Sequence, residues 1–138
     1  MNGKYIFLWG LTFLLLPGAW AQDAKSEYVR QLSSAFAKDG LAIESGMGTD
    51  GTQNLAVLAR RGYFPVTLLG KAEVPTVLRI YTDKTYDCSR AFLLPDLKKR
   101  VVLPVKGVTA FTLPPQKKGS TLFGTCGMGM YTFEIRFE

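Results

Sequence analysis

From Asn54 onward, short apolar runs are cut repeatedly by proline and glycine. The breaks fall at Gly62, Pro65, Gly70, Pro75, Pro95, Pro104, Gly107, Pro114-Pro115 and Gly119. Neither residue is tolerated well inside a helix, and runs of four to eight residues are strand length. The spacing predicts strands at Asn54–Arg60, Val66–Leu69, Thr76–Asp83, Ala91–Leu94, Arg100–Leu103, Val108–Leu113, Thr121–Thr125 and Tyr131–Phe137. The last run alternates cleanly: Phe133, Ile135 and Phe137 share one face, Thr132, Glu134 and Arg136 the other. Strands this close together, without helices between them, predict an antiparallel sandwich or barrel, a single all-β domain over residues 54–138.

The preceding residues read differently. Met1–Ala21 carries one charge, Lys4, ahead of the apolar run Tyr5–Leu16. Pro17-Gly18 ends the run, and Ala19-Trp20-Ala21 is an A-x-A-like cleavage site. That is the pattern of a secretory signal, and the run is too short to span a bilayer. The expectation is a periplasmic or secreted protein without a membrane span once the signal is removed. Residues 22–53 read as an N-terminal helix and loop. In Gln22–Asp39, Tyr28, Leu32 and Phe36 form one apolar stripe at i, i+4, i+8, and Gly40 follows as a stop. Leu41–Ser45 reads as a short strand, and Gly46–Gln53, dense in turn formers, as loop.

Composition excludes much chemistry. The 138 residues contain no histidine. A Ser-His-Asp triad, a Cys-His nucleophile, a His-ligated zinc centre and a His2Cys blue-copper centre are therefore ruled out. No pair of carboxylates is spaced for acid–base work, so no catalytic step is expected. Two cysteines, Cys88 and Cys126, stand 38 residues apart. In an oxidising compartment they can form a disulfide, and they can equally be metal ligands. Cys126-Gly127-Met128-Gly129-Met130 places three sulfur side chains in five residues. Thiolate and thioether are soft donors that favour Cu(I), and the intervening glycines let the backbone bend around an ion. The alternative is a buried turn in which the methionines fill the end of the core.

The order of several motifs adds to this. Gly62-Tyr63-Phe64-Pro65, Val74-Pro75-Thr76-Val77-Leu78-Arg79, Cys88-Ser89-Arg90-Ala91-Phe92-Leu93-Leu94-Pro95-Asp96, and the Cys126–Met130 segment resemble the bacterial cupredoxin-like domains. Those occur as exported proteins and as modules attached to copper-transport proteins. The resemblance covers Ala56–Glu138 and implies a Greek-key β-sandwich of cupredoxin type, here with a short N-terminal helix. In plastocyanin-like members the first ligand is a histidine just before a strand, a position that Cys88 resembles. Their cysteine ligand ends the penultimate strand, as Cys126 does. Their second histidine follows in the next loop, where Met128 lies nearest. Their axial methionine opens the last strand, which Met130 resembles. The resemblance thus implies a metal site of Cys88, Cys126, Met128 and Met130 at one pole of the sandwich. Without either imidazole the set is softer than a blue-copper centre and implies Cu(I), with Ag(I) as a further candidate. It implies copper transfer, buffering or resistance rather than electron transfer. Two sulfurs that reach one ion lie about 3.5–4 Å apart, so a disulfide and a metal site are alternative states of the pair.

Two other functions fit the sequence. One is a structural or protein-interaction sandwich stapled by a Cys88–Cys126 disulfide. The other is a redox copper protein that completes its site with another chain. Lys98, Lys99, Arg100, Lys106, Lys117 and Lys118 read as one basic face, on which a copper-transport or copper-receiving protein can dock. Nucleic acid is not expected. Met47 reads as a loop residue, or as part of a metal path. Tyr63 reads as an aromatic at the edge of the sandwich, or as a residue approaching the site. Asp87 and Asp96 read as solvated turn carboxylates, and Glu44 and Glu73 as surface residues.

Overall fold

The structure is a computed structural model, and it describes Arg30 and residues 45–138. The expected signal segment Met1–Ala21 lies outside them, as does the expected helix over Gln22–Asp39 apart from Arg30. Of the expected strand Leu41–Ser45 only Ser45 is described, and it is not strand.

The described residues form ten strands, in chain order β1 Gly46–Met47, β2 Gln53–Ala59, β3 Tyr63–Phe64, β4 Thr67–Gly70, β5 Thr76–Thr82, β6 Ala91–Leu94, β7 Lys99–Val102, β8 Gly107–Leu113, β9 Thr121–Cys126 and β10 Thr132–Phe137. The domain is all-β, as the punctuation predicts, and every expected strand from Asn54 onward is present within about one residue at its ends. Single 3-10 turns occupy Cys88–Arg90 and Pro95–Leu97.

The strands form two five-stranded sheets. One has the order β1-β2-β5-β8, with β3 paired to β2; the other has the order β4-β10-β9-β6-β7. Neither sheet is purely antiparallel, which corrects the expectation. β2 pairs β5 in parallel, and β10 pairs β4 in parallel. Gly46 and Met47 are also strand rather than loop, because they pair with Asn54 and Gln53 at the start of β2.

The core lies between the sheets. Strand β2 buries Leu55, Val57 and Ala59 on one face, and β10 buries Phe133, Ile135 and Phe137 on the face expected from alternation. Leu78, Ile80, Phe92, Leu94 and Leu113 close the same cluster. Each such side chain contributes roughly 1.5–3 kcal/mol by leaving water, which is what two small sheets need to hold together. Among the described residues no buried side-chain nitrogen or oxygen lacks a hydrogen-bond partner.

The register defines two ends. β2 and β5 finish at Ala59 and Thr82, β6 begins at Ala91 opposite Val102, and β9 finishes at Cys126. These residues mark one pole. The other pole carries Gln53, Gly70, the β6–β7 turn and the β8–β9 connection.

Candidate metal centre

Cys88 opens the 3-10 turn that leads into β6, and Cys126 is the last residue of β9. The two strands are hydrogen-bonded neighbours, with Phe92 directly across from Cys126. That pairing brings residues 38 apart in sequence into contact: the two Sγ atoms lie 3.8 Å apart. The structure holds both as free cysteines. Cys126 is 1 % exposed, whereas Cys88 is half-buried.

The segment after Cys126 is a tight turn. Gly127 N donates to Ala91 O at 2.7 Å, which ties the turn to β6. Gly129 N donates back to Cys126 O at 2.8 Å, with Gly129 at φ +69°, a left-handed conformation that suits glycine. Met128 and Met130 therefore stand on the same turn as Cys126, and their side chains are 73 % and 64 % exposed. This removes the packing alternative, since neither methionine fills the core.

The two thiols differ. Burial pushes the Cys126 thiol up, but backbone N–H groups of Tyr131, Met128 and Met130, together with Cys88, outweigh it and hold Cys126 below the usual thiol range. Cys88 is held above that range by desolvation and by the sulfur and charge of Cys126, with Asp87 adding to it. The two thiols thus titrate as an interacting pair. A cation about 2.3 Å from both sulfurs 3.8 Å apart would see an S–M–S angle of about 110°. The pair is thus spaced for a tetrahedral or trigonal soft cation, and Met128 and Met130 lie on the turn that follows Cys126.

Other expected residues sort clearly. Met47 is exposed on β1 beside Gln53, at the opposite pole, so it belongs to no path to the cysteines. Lys98, Lys99, Arg100, Lys117 and Lys118 also lie at the opposite pole, while Lys106 precedes β8 at the cysteine pole; the single basic face is two separate groups. Asp96 is an exposed carboxylate that accepts from Phe123 N at 3.3 Å, and Glu73 is exposed. Asp87 is more than a solvated turn carboxylate. It caps the Cys88 turn, accepting from Ser89 N at 2.9 Å and from the Ser89 hydroxyl at 2.6 Å. Desolvation raises its pKa, but these bonds and one from Arg61 N outweigh that and hold it below the usual range.

Tyr63 is not an edge aromatic. It is 1 % exposed, packs edge-on against Phe92 and Phe133, and donates its hydroxyl to Ser89 O at 2.9 Å. Desolvation, with the nearby Cys126, Cys88 and Asp87, pushes its phenol far above the ordinary range. No sequence signal marks this placement, since Tyr63 and Phe64 are both aromatic and their strand is two residues long.

No protein-family model and no curated protein matches the sequence. Solved structures do match. One is the metal-binding domain of the Streptococcus pneumoniae D39 Cu(I)-exporting P-type ATPase CopA with Cu(I), at TM-score 0.57 and 19% identity over 68% of this chain and 93% of that chain. Another is a copper binding protein solved by NMR in the apo form, at TM-score 0.60 and 21% identity over 69% of this chain and 96% of that chain. At these identities the likeness is one of fold.

Proposed function

We propose that this protein is an exported, cupredoxin-like carrier of Cu(I), serving copper transfer, buffering or resistance. The observation that carries the reading is the free thiol pair 3.8 Å apart beside a turn presenting two exposed methionines. Thiolate and thioether donors without a single imidazole in the chain stabilise Cu(I) over Cu(II), which speaks against an electron shuttle. Ag(I), equally soft, is a second cargo. The fold shared with a Cu(I)-loaded domain and an apo copper-binding protein supports the same assignment. Binding, not catalysis, is the role. A copper-donating or copper-receiving protein meets the cysteine pole, where Arg60, Arg61, Lys84 and Lys106 are exposed, rather than the basic group at the far pole.

The test is a competitive Cu(I) titration of the fully reduced protein against a coloured chelator, with the Cys88→Ser/Cys126→Ser double variant beside it. Tight retention by the wild type that is lost in the variant is the expected result. Equal behaviour of the two proteins would remove copper from the assignment.

A further inference from the structure

Cys88 lies between two residues that are both tied to the same turn of the opposite sheet. On one side, Asp87 Oδ2 accepts from Arg61 N at 2.9 Å. On the other, Ser89 O accepts from the Tyr63 hydroxyl at 2.9 Å. Arg61 and Tyr63 belong to the sharp β2–β3 turn, in which Arg60 N donates to Gly62 O at 2.9 Å and Arg61 and Gly62 both have positive φ. Asp87 and Ser89 are in turn bonded to each other through Asp87 Oδ1. The tie is anchored rather than loose, because Tyr63 and Ser89 are both buried and the Tyr63 ring is wedged between Phe92 and Phe133. The same Phe92 faces Cys126 across the β6–β9 ladder. Tyr63 is therefore one step from each cysteine: its ring packs on Phe92, the cross-strand partner of Cys126, and its hydroxyl holds Ser89, the residue after Cys88.

We propose that the Arg61–Tyr63 turn is a positioning clamp that grips Cys88 from both flanks and holds its sulfur over Cys126. Tyr63 and Asp87 are its positioning residues, and neither needs to touch a bound ion. The far end of the same 3-10 turn is tied separately at Arg90, whose O accepts from Leu103 N at 2.7 Å and whose Nε donates to Leu103 O at 2.9 Å, so the clamp fixes the end that carries Cys88. Two sulfurs that must meet one cation gain from being held in place before it arrives. For metal binding this inference rests on the proposed soft-cation site, but the clamp itself concerns only the spacing of the thiols, and that can be read without metal.

The readout is the effective concentration of the two thiols in a glutathione redox buffer. The exchange balances as protein dithiol plus glutathione disulfide giving protein disulfide plus two glutathione thiols. The equilibrium position, quenched by alkylation and read by mass spectrometry, measures how closely the fold holds the sulfurs. Three variants are compared with the wild type: Tyr63→Phe, which removes only the hydroxyl; Asp87→Ala, which removes the other grip; and Thr85→Val. Thr85 is the control, since its hydroxyl makes a buried bond to Ala59 O at 2.6 Å at the same pole without touching the Cys88 turn. Each clamp variant is expected to lower the effective concentration roughly fivefold, the equivalent of one buried hydrogen bond, while Thr85→Val leaves it unchanged. Circular dichroism confirms that each variant is folded.

Clamp variants that match the wild type, or a control that falls as far as they do, would overturn the proposal. So would a wild type whose thiols pair no better folded than unfolded in urea. A wild type that holds its thiols together yet fails to compete for Cu(I) leaves the clamp standing and overturns only the copper assignment.

Discussion

Gly124 and Phe133 are direct cross-strand partners in β9 and β10, and the Phe133 ring occupies the space in which any side chain at 124 would begin. A Cβ built on Gly124 meets ring carbons of Phe133 at 2.0 and 2.4 Å. Phe133 cannot swing away freely, because it packs edge-on against Tyr63 and stacks on Phe92. Gly124→Ala is therefore expected to destabilise the domain by about 1–3 kcal/mol through overpacking. Urea unfolding would show a lower midpoint at unchanged slope. A midpoint within error of the wild type would mean that the ring relocates without cost.

The buried Tyr63 hydroxyl makes stability fall at high pH. Its folded-state pKa is raised, so below the unfolded value of about 10 both states are protonated and the group has no pH-dependent effect. Above about 10 the unfolded chain loses this proton and the folded one keeps it, which favours unfolding. Urea midpoints followed from neutral pH to about 11 should decline with a component that Tyr63→Phe abolishes. An identical decline in the variant would place the alkaline sensitivity elsewhere.

Much of the frame is legible without coordinates. Ala91–Leu94 is bounded by Pro95, and the Phe133, Ile135, Phe137 alternation shows which face of β10 is buried. What escapes is what local pattern does not encode. Gly46–Met47 and Tyr63–Phe64 are two-residue strands, too short to show any period. The parallel pairing of β2 with β5 and of β4 with β10 depends on which strands become neighbours, a long-range matter. For the site, the cysteines and the methionine turn stand out by their sulfur content. Tyr63 and Asp87 do not, because their part depends on the opposite sheet arriving beside the Cys88 turn.

Met128 and Met130 can be replaced without disturbing the core, since both are largely exposed. The Met128→Leu/Met130→Leu double variant is expected to keep the wild-type unfolding midpoint. Its hold on Cu(I) should weaken by at least about tenfold, equivalent to 1.4 kcal/mol. Chelator competition separates the outcomes: unchanged retention would confine the metal site to the two thiols.

Oxidation should exclude the cation. A Cys88–Cys126 disulfide uses both sulfurs, and the pair needs an approach of less than about 2 Å to form it. The oxidised protein is expected to lose competition for Cu(I) and recover it on reduction. Closing a loop of 38 residues should also stabilise the fold, by about 4 kcal/mol at most on the chain-entropy account. Thermal unfolding of the two redox forms, alongside the titration, tests both halves. Cu(I) held equally by the oxidised form would mean that the cysteines are not its ligands.

The chain enters the sandwich through β1, beside the first residues of β2, and leaves it through β10, where Glu138 N donates to Gly70 O. Both passages lie at the pole opposite the cysteines. The described domain therefore carries its two outer connections on one side and its sulfur pair on the other.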